Sequence, residues 1–298
     1  MTLLSTFPDL PITAPIAGGE LVCINSLRSY VLAKLSGDSP LLVIAPSTRI
    51  ADDLSDEIRS LIGNHVINFP AWETLPHERL SPKSDTVTTR IKGLHQINSS
   101  KPPKVIITSI RGALQPIVSD ILDEELISLA LNKEVSMAKL IERLSYFGFT
   151  RTDLVEKRGE FAVRGGIVDV FLQLAMHPVR IDFFGDEIEE MRYFEVADQR
   201  TSEAVLGKLA ILPCRELLLT ERIRERAEKI KSQYPSALEI LDKLAQGTIV
   251  DGMESLIPLL TDDFETILDR LPESTEVFFL DQERIKSRTA DLLETNAE

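Results

Sequence analysis

Pro40-Leu41-Leu42-Val43-Ile44-Ala45-Pro46 is an apolar run of strand length with a proline at each end. A strand with one wet face alternates polar and apolar residues. A run with no polar member is covered on both faces, as strands inside a parallel sheet are. The flanking sequence agrees. Ser47 or Thr48 can cap a helix carrying Asp52, Asp53 and Asp56, close to the end where the helix dipole favours negative charge; the helix runs to Ile62 and stops at Gly63. Upstream, Glu20 to Ile24 reads as a short strand, followed by a helix from Ser26 to Leu35 closed by Gly37. Downstream, Val66 to Phe69 and Val105 to Thr108 read as strands, with a helix from Thr86 to Ile97 between them. Strands alternating with helices predict an α/β domain built on a parallel sheet.

The period changes past Ser119. A helix from Ser136 to Phe147 ends at Gly148, and the following segments alternate with a period of two. They are Leu154 to Lys157, Phe161 to Arg164, Ile167 to Phe171, Val179 to Phe184 and Glu187 to Phe194. Turns at Gly159, Gly165-Gly166, His177-Pro178 and Gly185-Asp186 separate them, which predicts a small inserted α+β domain with an antiparallel sheet. Helices follow at Glu221 to Lys231 and Ala237 to Ala245. The apolar strand Glu276 to Leu280 and a helix from Gln282 to Leu293 then return to the style of the first third. The expected division is 1–120 for the first part of the α/β domain, 121–212 for the insert and 213–298 for a part packing back on the first domain.

Charge narrows the function. The 298 residues carry a net charge of −14, and a field of that sign repels nucleic acid, which a basic groove would have to attract. Docking to a protein is favoured over gripping DNA. The apolar stretches fall far short of the ~20 residues a membrane helix needs, and Met1-Thr2-Leu3-Leu4 lacks a signal-peptide pattern, so a cytoplasmic monomer is expected. Cys23 and Cys214, each in apolar surroundings, read as two buried thiols. His65, His77, His95 and His177 are too scattered to suggest a metal site.

A parallel sheet of Rossmann or RecA type raises the question of ATP. Its phosphates would need a glycine-rich loop ending in Gly-Lys-Ser/Thr after the first strand. That position holds Asn25, Ser26, Leu27, Arg28 and Ser29, with no glycine and no lysine. Gly18-Gly19 lies on the wrong side of the expected strand, and Gly207-Lys208 is followed by Leu209. The acidic run Ile121 to Leu126 could resemble a metal-binding box, but without a phosphate loop it reads as a solvated junction. No catalytic residue, cofactor or metal site is expected in this chain.

The segment from Arg158 to Arg200 carries the most information. Alternation along Val179 to Phe184 sends Val179, Ile181 and Phe183 to one face and Arg180, Asp182 and Phe184 to the other. The neighbouring strand adds Arg164 to the second face. Arginine with an exposed aromatic is the composition of a binding hot spot. The residues alone leave a second reading open, in which the helix from Ser136 to Phe147 covers Phe184 and Arg180 pairs with Asp182 or Asp186. If the face docks a partner, Arg180→Ala should abolish binding with little change in thermal stability.

Gly159-Glu160-Phe161-Ala162-Val163-Arg164-Gly165-Gly166 and Arg180-Ile181-Asp182-Phe183-Phe184-Gly185-Asp186-Glu187-Ile188 resemble the excision-repair protein UvrB. They are closer still to the UvrB-like N-terminal region of the transcription-repair coupling factors (Mfd). Phe69 to Pro82 and Val196 to Thr201 favour the coupling factors, and the resemblance covers essentially the whole chain. It implies a degenerate RecA-like, UvrB-like domain made of N- and C-terminal parts, with an inserted domain that docks UvrA through Arg164, Arg180 and Phe184. It further implies a full-length ATP-dependent DNA translocase that displaces stalled RNA polymerase. ATP, Mg2+, RNA polymerase and double-stranded DNA would then engage regions that this sequence does not contain. The alternative is a nucleotide-dependent DNA-binding excision-repair protein of the UvrB or helicase type.

Overall fold

The computed structural model describes residues 18–37, 39–75, 78, 80–118, 121, 126–262 and 264–297. Met1 to Leu4, Pro76, His77, Arg79, Asp123 to Glu125 and Glu298 lie outside the described residues.

Along the chain run α1 (Arg28–Leu35), β1 (Leu41–Ala45), α2 (Thr48–Ile62), β2 (Val66–Phe69), α3 (Ser84–Ile97), β3 (Val105–Ser109), α4 (Ile110–Leu114) and β4 (Ile117–Val118). Next come β5 (Ile127–Ala130), α5 (Met137–Tyr146), β6 (Thr150–Arg151), β7 (Glu160–Arg164), β8 (Ile167–Val170), β9 (Val179–Phe184), β10 (Glu187–Phe194), β11 (Thr201–Val205) and β12 (Lys208–Ile211). The last elements are α6 (Glu221–Ile230), α7 (Leu238–Ala245), α8 (Ile257–Leu260), β13 (Phe264–Glu265), β14 (Glu276–Phe279) and α9 (Gln282–Ala297).

The chain forms two compact units. Of the described residues, the first takes in those up to Trp72, Gly93–Ile117 and those from Glu265 onwards; the second takes in those within Glu73–Lys92 and Val118–Phe264. The first holds a parallel sheet of order β14-β1-β3-β2, with Leu41 opposite both Glu276 and Val105. All five residues of β1 are buried, as the unbroken apolar run requires. In α2 the Ser47 hydroxyl accepts from the Ile50 N–H, and Gly63 ends the helix. Ala51, Leu54, Ile58 and Ile62, spaced by three and four, pack on Val43, Ala45, Val105 and Ile107. Each of the larger side chains contributes roughly 1.5–3 kcal/mol by leaving water. β14 joins this sheet, as expected from its apolar composition.

Glu20 to Ile24 is not a strand. The segment is exposed and irregular, because β3 and β14 take both flanks of β1 and the segment has no ladder of its own. Asn25–Leu27 is already one turn of 3-10 helix leading into α1, and the Arg28 guanidinium donates to Asn25 Oδ1. Cys23 is exposed and only Cys214 is buried, where burial pushes its thiol pKa well up.

The second unit is built on a six-stranded sheet of order β11-β10-β9-β8-β7-β6, antiparallel except where β6 runs parallel to β7. One face packs Phe161, Val168, Val170, Val179, Ile181, Phe183, Ile188 and Met191 against Leu140 and Leu144 of α5. Leu154 to Lys157 is irregular backbone instead of a strand. The Glu160 carboxylate accepts from the Glu156 and Lys157 N–H groups at 2.8 Å each, occupying donors a ladder would need.

Residues 213–264 group with this unit, so of the third segment expected from sequence only the part from Glu265 joins the parallel sheet. The reason is polar as well as apolar. The Thr88 hydroxyl donates to the Pro213 carbonyl, and Arg90 of α3 is ion-paired with Glu216, both side chains fully buried. Among the described residues, no helix is long and apolar enough to cross a membrane.

Candidate functional site

The face of the six-stranded sheet opposite α5 carries the residues that alternation selects. β7 and β8 join through Gly165-Gly166, which sets Arg164 opposite Ile167 and Ala162 opposite Asp169. On the other side of β8, Asp169 lies opposite Arg180, and Ile167 opposite Asp182. Arg164, Asp169, Arg180, Asp182 and Phe184 therefore share one face, with the Asp169 strand between those of the two arginines.

The turns that frame the site require glycine. A Cβ on Gly166 would come within 2.8 Å of the Phe183 carbonyl oxygen, too close for any side chain. Gly185 has φ of 64°, the left-handed conformation that opens the tight β9–β10 hairpin beside Phe184. That hairpin tip is pinned from outside. The Val135 N–H donates to the Asp186 carbonyl at 2.7 Å, and the Met137 N–H at the start of α5 donates to Asp186 Oδ1 at 3.3 Å. Phe184, one residue before the turn, is thereby presented on a braced strand end, 78% exposed.

The reading in which α5 covers Phe184 is thus wrong, as is the pairing of Arg180 with Asp182 or Asp186. Arg180 is bound to Asp169, with Nε 2.8 Å from Oδ1 and Nη2 2.9 Å from Oδ2. Its Nη1 donates to the Gln199 carbonyl, and its guanidinium lies 4.7 Å from the Phe194 ring centre. The hydrogen bond to Asp169 holds the Arg180 pKa above its ordinary value, against the opposing effect of burial. Arg164 donates from Nη2 to Asp169 Oδ2 at 2.7 Å. Asp182 is raised above the ordinary carboxylate range by burial, with Glu190 acting in the same direction and Arg180 against it.

Sequence reasoning missed Asp169, although it stands inside a quoted strand. Its side chain is 1% exposed, and a buried carboxylate must be paired. An acid between Val168 and Val170 was the available signal. The structure also separates the three expected residues. Phe184 and Arg164 meet solvent, the Arg164 side chain being 47% exposed, whereas the Arg180 side chain is 16% exposed and tied on several sides. At the expected phosphate-loop position, the structure shows a helical turn without a preceding strand.

A family profile described as the UvrB interaction domain matches residues 127–217, which contain this whole face. Across its full length the chain is 41% identical to the transcription-repair-coupling factor of Mycobacterium tuberculosis, covering 26% of that protein. The transcription-repair-coupling factor of Myxococcus xanthus is 32% identical over 90% of the chain, and that of Escherichia coli 29% identical over 83%. The chain spans about a quarter of the length of the curated relatives it matches.

Proposed function

We propose, from the premise that this chain is a relative of the transcription-repair-coupling factors along its length and carries a UvrB interaction domain, that it is a docking module for the excision-repair protein UvrA. The observation that carries the reading is Phe184, a large aromatic held in water on a braced strand end, on the same face as the half-exposed Arg164. A solvated sheet face has no use for such an aromatic, whereas a protein interface is built around aromatic and arginine anchors. The negative net charge supports a protein partner over nucleic acid.

In this reading the parallel-sheet unit is a RecA-like domain, of the kind found in UvrB, that has lost its phosphate loop and works without ATP or Mg2+. Catalysis belongs elsewhere. In the longer protein, an ATP-driven translocase would act on double-stranded DNA, displace stalled RNA polymerase in the cytoplasm, and bring UvrA to the lesion through this module.

The test is direct binding of the purified chain to UvrA by titration calorimetry. Phe184→Ala and Arg164→Ala are each expected to weaken binding at least about tenfold, the loss of one hot-spot residue. Wild-type affinity in both variants would overturn the assignment of the face.

A further inference from the structure

Arg164 and Arg180 meet at one carboxylate but use it differently. Arg180 gives Asp169 two parallel N–H bonds, spends Nη1 on the Gln199 carbonyl and lies over Phe194. Its donors are directed inward. Arg164 gives Asp169 a single bond from Nη2, and its Nε and Nη1 have no partner among the described residues. The Asp169 side chain is buried, so it takes no contact from outside. One carboxylate thus fixes the rear of the Arg164 guanidinium while its remaining donors stay free at a half-exposed surface.

We infer that Asp169 is a positioning residue for docking, and that the group Arg164 receives from the partner is a carboxylate. The inference rests on the reading of this face as the docking site. A guanidinium presents five N–H donors in a rigid plane, so fixing Nη2 on one acid holds the free Nε–H and Nη1–H donors in set directions on opposite edges of that plane, where a carboxylate of the partner can accept from either. Pre-fixing the guanidinium removes rotamer freedom that docking would otherwise have to remove, which raises affinity without any new contact. Phe184 lies on the same face, two residues further along β9 than Asp182, which is level with Ile167 and so with Arg164. Gly166 is level with Phe183, as the Phe183 N–H bond to the Gly166 carbonyl shows, and Arg164 precedes that turn by two residues. The partner surface that fits is an acidic side chain next to an apolar recess.

A double-mutant cycle on UvrA binding tests this, because Asp169 should act through Arg164. Asp169→Asn is expected to weaken binding at least about tenfold in the wild-type background, and by less than about twofold in an Arg164→Ala background. Equal losses in both backgrounds would mean that Asp169 supports only the fold, and no loss in the wild type would end its role altogether. Should Asp169→Asn fail to fold, Arg164→Lys decides the matter. Lysine keeps the charge but lacks the planar guanidinium, so it cannot hold Asp169 and present a second donor in a fixed direction at once. A loss of about fivefold or more with an unchanged melt is expected, and wild-type affinity would overturn the inference. If Arg164→Ala itself binds normally, the docking site is misplaced. If it loses binding while Asp169→Asn and Arg164→Lys do not, the site stands and only the positioning role falls.

Discussion

Two buried carboxylates in the same unit hold arginines in opposite ways. Glu216 and Arg90 are both 0% exposed, with Nε 2.5 Å from Oε1. Asp169 is as deeply buried, yet it holds one arginine that is mostly covered and a second that is half in water. The sealed pair neutralises two charges that would otherwise be stranded between α3 and the segment after β12. The open cluster sets two guanidiniums on one buried carboxylate, and the less covered of them, Arg164, reaches the surface on the face that carries Phe184. A buried carboxylate is a structural fact in both places; only the open cluster holds an arginine that keeps free N–H donors at the surface among the described residues.

The sealed pair gives the largest expected effect. Breaking a buried ion pair by removing one member costs about 3–5 kcal/mol. Glu216→Ala should therefore lose about that much stability in urea denaturation. A loss below about 1 kcal/mol would show that water reaches Arg90 and that the two sites are not different in kind.

Arg180→Ala comes next, at about 2–4 kcal/mol, because Arg164 remains to hold Asp169 and because the site is partly open. Part of that loss is the contact with the Phe194 ring. This reverses the expectation from sequence that Arg180 could be removed without touching stability. Any binding loss in that variant must be read against its melt. An unchanged melt would make Arg180 a surface contact like Arg164, and the contrast between the two arginines would collapse.

How far this was legible follows from the connections. The β7–β8 turn is the short Gly165-Gly166, so pairing Arg164 with Ile167, and hence Ala162 with Asp169, can be counted off the sequence. The connection from β8 to β9 runs through residues 171–178, and a loop of that length does not fix register. The opposition of Asp169 and Arg180 was therefore not readable, although Arg180, Asp182 and Phe184 on one face were. In the parallel sheet the reverse held. The unbroken run of β1 and the composition of β14 announced their burial. Glu20 to Ile24 had the same apolar look but no neighbour to pair with, and neighbours are set by the whole fold.

Phe184 gives the smallest expected effect on stability and the sharpest one on the comparison. Phe183 and Phe184 are adjacent on β9, yet the first is buried in the core with α5 and the second is 78% exposed. Removing an exposed ring changes little in the folded state, so Phe184→Ala should shift unfolding free energy by no more than about 0.5 kcal/mol. Its only large effect should be on docking. A destabilisation above about 2 kcal/mol would mean that the ring is covered in solution by this chain's own residues, since that is the scale of losing a buried aromatic. The face would then be part of the fold, and Arg164 with its unspent donors would have to account for recognition alone.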